Sequence, residues 1–192
     1  MRDRDVRSAL LQQLRIAYAE DGDTRIVQEM GVWSGAVRID VAVINGELSG
    51  YELKSDKDTL DRLTYQAELY SRVFDKVVLV AGLRHLEKAC HRIPDWWGVT
   101  VAELDGGAIK LRSVRAPVRN QSVEPYLVAQ LLWKDEAIAV LERRGLAHGW
   151  RAKRVKAIHE RLASELPLDD LCEQVRSTLK TRNHWLRQNA SC

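Results

Sequence analysis

The chain has 192 residues, 45% hydrophobic and 30% charged, the balance of an ordinary globular protein. No stretch approaches the ~20 apolar residues of a membrane-crossing helix, and the charged, amphipathic start (MRDRDVRSALLQQL) is unlike a signal peptide, so no membrane partner is expected. Three cysteines (Cys90, Cys172, Cys192) at no zinc-ligand spacing argue against a disulfide framework and for a reduced, cytoplasmic setting.

Apolar spacing predicts an amphipathic helix over Arg4 to Glu20, broken by Asp21-Gly22-Asp23. A short strand from Arg25 to Met30 follows, with Glu29 at its end, then a loop carrying Trp33. Val37, Ile39, Val41 and Val43 alternate with other residues, Asn45-Gly46 supplies a turn, and Leu48 to Lys54 forms a second run. Asn-Gly between two such runs is a strong hairpin signal. A helix from about Thr59 to Phe74 buries Leu60, Leu63, Ala67, Tyr70 and Phe74. Lys76 to Ala81 (KVVLVA) is a strand buried on both faces. A helix over Leu83 to Arg92, a strand over Val99 to Leu104 and a last strand over Ala108 to Val114 complete an α/β unit, a mixed sheet flanked by helices. Residues 115–125, with two prolines, read as a linker between this 1–114 core and a helical region, 126–192. In the latter, helical periodicity covers Tyr126 to Arg143, Ala152 to Ser164 and Leu168 to Arg182. The net charge of +3 is uneven: residues 1–111 carry −3 and residues 112–192 carry +6, concentrated between Arg143 and Arg161. Such asymmetry fits a polyanion partner, with Arg144, Arg151, Lys153 and Arg154 as candidate phosphate contacts.

The hairpin carries the chemistry. Residues i and i+2 of a strand share a face, so Glu52 and Lys54 point the same way, and pairing brings Asp40 beside them. Two carboxylates with an ammonium suit Mg²⁺-assisted phosphodiester hydrolysis, because Mg²⁺ takes hard oxygen ligands and often only one or two carboxylates. Lys54 can orient or deprotonate water, or meet developing charge on the phosphate.

Asp40 followed by Glu52-Leu53-Lys54 across a hairpin resembles the PD-(D/E)XK nuclease superfamily, although Ile39 stands where its name has proline. The resemblance implies a restriction-endonuclease-like fold with Asp40, Glu52 and the Leu53 carbonyl on Mg²⁺ or Mn²⁺. It also implies a catalytic Lys54, and Glu29 as an extra acidic group for a metal-bound water or second ion. Gln66-x-x-x-Tyr70 resembles the element that follows the Glu-x-Lys strand in RecB-type nucleases, where the glutamine fixes the lysine and water and the tyrosine lies near DNA. Arg62, one turn earlier, is a further phosphate contact. The implied activity is DNA hydrolysis in repair, recombination or defence, with a homodimer or a helicase or repair protein as partners left open.

The bland readings compete residue by residue. Tyr70 and Trp133 fit a core; Trp96-Trp97 fits a core or a groove; Cys90-His91 lacks metal partners; His148 and His159 read as surface residues. Two other functional classes stay open: a non-cleaving nucleic-acid-binding module and a protein-interaction or regulatory domain. The intact Asp, Glu and Lys set argues against both.

Overall fold

The computed structural model describes residues 1–183 and Trp185, the Ser34 side chain aside, and among them six strands pair in chain order. They are β1 (Arg25–Val32), β2 (Val37–Ile44), β3 (Leu48–Lys54), β4 (Lys76–Gly82), β5 (Gly98–Asp105) and β6 (Ala108–Arg115). Hairpins join β1 to β2, β2 to β3 and β5 to β6, while β3, β4 and β5 run parallel. Parallel neighbours need crossovers, supplied by α2 (Leu63–Tyr70) and α3 (Leu86–Cys90). The result is the expected α/β fold with a mixed sheet.

Helix α1 (Asp3–Ala17) covers one face, setting Val6, Leu10 and Leu14 against Val41, Val43, Leu53 and Val80. The other face lies under α2, α3 and the C-terminal helices α4 (Pro125–Ala129), α5 (Lys134–Arg143), α6 (Val155–Glu165) and α7 (Leu168–Thr181). Leu127, Leu141, Ile158 and Val175 share one apolar cluster with Ile39, Leu63, Phe74 and Leu79. No helix among the described residues is long and apolar enough to cross a membrane.

Several elements differ from the sequence expectation. Helix α2 is half as long as expected, because residues before it turn instead: the Asp58 carboxylate accepts the Ser55 N–H at 2.7 Å. The expected helix from Tyr126 to Arg143 divides into α4 and α5. Glu136 takes the Trp133 N–H at 2.7 Å and starts a new helix there. His159 is buried, its Nε2 within 3.0 Å of the Leu132 carbonyl, rather than on the surface. Trp97 is wholly buried and stacks on Tyr70.

The alternation expected for β2 also breaks. Ile39 faces the large cluster, but Val41 and Val43 face α1. In β1 the same cluster takes Val27 and then Met30. The register is continuous, and the change of face falls at Glu29 and Asp40, between the Gln28–Val41 and Met30–Ile39 pairs. Glu29 has φ +54°, uncommon for any residue but glycine. Residues held in such sparsely populated backbone regions cluster at functional sites.

Residues 116–124 lie outside helix and strand yet are tied to the sheet. Asn120 donates to the carbonyls of Ser71 and Phe74 at 2.6 and 2.9 Å, and its own N–H reaches the Asp75 carbonyl. Buried Asp75 accepts the Leu48 N–H at 2.7 Å and pairs with Arg176 of α7. Asp75→Ala leaves both donors without their partner and is expected to cost about 2–4 kcal/mol in urea unfolding. Exposed Asp95→Ala should stay within about 0.5 kcal/mol of wild type.

Candidate active site

Strand β3 places Glu52 and Lys54 on one face, and α2 lies over them. Lys54 Nζ donates to Glu52 Oε1 at 2.7 Å and to Gln66 Oε1 at 3.0 Å. Gln66 Nε2 donates to the same Glu52 oxygen at 2.6 Å. Glu52, Lys54 and Gln66 are 1%, 6% and 6% exposed, so this is an interior network. Four residues on, one helical turn, Tyr70 sets its hydroxyl 3.1 Å from Glu52 Oε2 and 2.6 Å from the Arg38 carbonyl. Across the hairpin, Asp40 Oδ2 accepts the Leu53 N–H at 2.8 Å and Oδ1 accepts Arg7 at 2.7 Å.

Burial is the largest influence on both carboxyls. It pushes Glu52 up to about 7, helped by nearby Asp40 and opposed by Lys54. Asp40 is also raised by burial, against the pull of the Leu53 N–H and Arg7. Burial likewise raises the Tyr70 phenol, with Glu52 adding to it. The Tyr70 hydroxyl lies within donating distance of both the Arg38 carbonyl and Glu52 Oε2, and its bond to the carboxylate, like that of Lys54, opposes the upward push of burial.

Asp40, Glu52, Leu53, Lys54, Gln66, Glu29 and Arg62 all line one polar cleft of about 680 Å³. Tyr70 stands behind it, with no exposed surface to offer nucleic acid. The basic C-terminal residues do not line the cleft. Arg144, Arg151, Lys153 and Arg154 are all exposed, Arg144 paired with Asp170 and Arg151 with Glu142. Glu29 is ion-paired with Arg7 at 2.8 Å.

Among the lining residues that went unread in the sequence are Asp3, Arg7, Arg38 and Tyr65. Arg7 follows Val6, the first residue of the α1 stripe, which was the available signal for its closeness to the sheet. Tyr65 precedes Gln66 and is half exposed at the cleft. Arg38 offered only its place at the start of the hairpin.

The donor chemistry fits a hard divalent ion. Two carboxylates facing one polar cleft resemble the one or two that Mg²⁺ commonly takes, with water and phosphate completing the shell. Among the described residues no group of three or more His, Cys, Asp or Glu is placed to hold an ion. The protein's share would thus be two carboxylates and the Leu53 carbonyl.

A family model described as Bacteriophage P4 protein cII matches residues 1–190. Protein cII of Enterobacteria phage P4 is 27% identical over 186 residues, which cover 96% of this chain and 69% of that protein. No solved structure matches the chain.

A carboxyl held above its ordinary value of 4.5 favours the folded state fully below that pH and loses the contribution as pH rises through about 7. In EDTA, unfolding free energy should fall by about 1–3 kcal/mol between pH 5 and 8 on this account. Denaturant melts of Glu52→Gln should show a flatter profile; an unchanged slope would place the titration elsewhere.

Proposed function

We propose that this chain, which belongs to the Bacteriophage P4 protein cII family, is a metal-dependent nuclease of PD-(D/E)XK type that hydrolyses DNA phosphodiester bonds. The observation that carries the proposal is the convergence of Asp40, Glu52, Lys54 and Gln66 on one cleft, with Lys54 bonded to both Glu52 and Gln66. Asp40, Glu52 and the Leu53 carbonyl would hold Mg²⁺ or Mn²⁺. When bound, the ion supplies Lewis acidity toward the phosphate and lowers the pKa of water.

The chain's own groups then have distinct tasks. An ammonium has three N–H donors, and Glu52 and Gln66 engage two of those on Lys54. The third is available to orient a water or meet a phosphate oxygen. Gln66 holds Lys54 through its carbonyl and Glu52 through its amide, fixing their separation. Tyr70 steadies the far oxygen of Glu52 from behind. Arg62 and Arg38 line the cleft and supply positive charge for the substrate backbone. Exposed Lys153 and Arg154, which do not line the cleft, offer separate positive charge for nucleic acid. A cytoplasmic role in repair, recombination or defence, alone or with a helicase or second copy, goes with this proposal.

One observation favours a second reading, a binding module that does not cut. Asp40 is compensated by Arg7 and Glu52 by Lys54, so the cluster has internal charge partners.

Cleavage of linear and circular DNA in Mg²⁺, Mn²⁺ or EDTA separates the two. The nuclease should cut with either metal, stop in EDTA and lose at least about 100-fold in rate in Lys54→Ala. Salt-sensitive DNA binding with no metal-dependent product in wild type would put the binding module first.

A further inference from the structure

Arg7 is charged, only 17% exposed and absent from the motif that describes the rest of the cluster. Its guanidinium lies where Asp3, Glu29 and Asp40 meet. Nη2 donates to Asp40 Oδ1 at 2.7 Å and to Asp3 Oδ2 at 3.3 Å. Nη1 pairs with Glu29 Oε1 at 2.8 Å and donates to the main-chain carbonyl of Asp40 at 3.0 Å. The main-chain contact anchors the side chain to the strand and does not depend on any carboxylate's charge. On the other side, Glu29 meets it from a left-handed backbone, at the level where the buried face of β2 changes. Helix α1, packed on the sheet through Val6 and Leu10, sets where the guanidinium can reach.

We infer that Arg7 is a resident cation occupying the Asp40–Glu29 half of the cluster. The site, if the proposed metal-dependent activity is right, therefore takes a single divalent ion at Asp40 and Glu52. Glu29 serves Arg7 and is not a metal ligand. A guanidinium is always charged and offers a planar fork that matches two acceptors at once, so it can stand permanently where a second ion would otherwise bridge carboxylates. Without Arg7, Asp3, Glu29 and Asp40 face one another with no counter-charge, which favours capture of another ion.

The test counts bound Mn²⁺ on the purified full-length chain, by calorimetry and by the electron-spin resonance of free Mn²⁺. Wild type should bind one ion. Arg7→Gln, checked for folding by circular dichroism, should bind two, and adding Glu29→Gln to it should return the count to one. Glu29→Gln in the wild-type background keeps Arg7 in place and should leave the single Kd within about threefold. That variant answers the question even if Arg7→Gln does not fold. Two ions on wild type, one ion on folded Arg7→Gln, or a tenfold weaker ion in Glu29→Gln would each overturn the inference while leaving a metal-dependent nuclease intact. No Mn²⁺ on any variant would instead overturn the metal-dependent proposal itself.

Discussion

Placing a carboxylate and an ammonium together inside a protein removes both from water, and their attraction compensates only when the remaining hydrogen bonds are met. Glu52 and Lys54 are held under that condition, and much of the fold's centre is arranged to satisfy it. Gln66 bridges the pair, and Tyr70 closes the far side of Glu52. Helix α2 must therefore lie close over β3. Gly50 of β3 leaves room for Ile39 of β2 and for Phe74 just after α2, because a Cβ there would come within 3.2 Å of both. Replacing such a pair with apolar residues is often neutral or stabilising, so stability alone gives little reason for it. The proposed hydrolysis does, since it needs a carboxylate and an ammonium fixed beside a phosphate.

A second constraint acts at the mouth of the cleft. At the level of Glu29 and Asp40 the buried face of β2 changes, with Ile39 in one core and Val41 and Val43 in the other. Asp40 sits at the pivot, turned toward both the Leu53 N–H and Arg7. Local backbone strain at Glu29 is thus coupled to the aim of the carboxylate that matters most. Helix α1 participates through Arg7, so a helix that looks like a cover for the sheet also shapes the charge of the site.

The order of elements along the chain, the hairpin and the cluster of Asp40, Glu52, Lys54 and Gln66 were legible because they rest on local rules. Period-two spacing, an Asn-Gly turn and a four-residue helical repeat each fix which side chains share a face. The unread features depend on tertiary contacts. Nothing in β2 itself announces the change of face after Ile39, which coincides with the left-handed backbone of Glu29 on the neighbouring strand. Arg7 lies 33 residues from Asp40, and only the packing of α1 brings the two together. The shortening of α2 and the division of α4 from α5 follow from side chains that capture backbone donors, a competition that apolar periodicity does not record. His159 was misread for a similar reason: its partner is a carbonyl 27 residues away.

The central claim is that the hairpin carboxylates hold a divalent ion in the cleft. A crystal soaked in Mn²⁺ and measured for anomalous scattering addresses it directly. The account predicts a peak about 2.0–2.4 Å from a carboxylate oxygen of Asp40 and one of Glu52, with Arg7 still between Asp40 and Glu29. A cleft free of anomalous signal at saturating Mn²⁺, with Glu52 bonded only to Lys54, Gln66 and Tyr70, would contradict it.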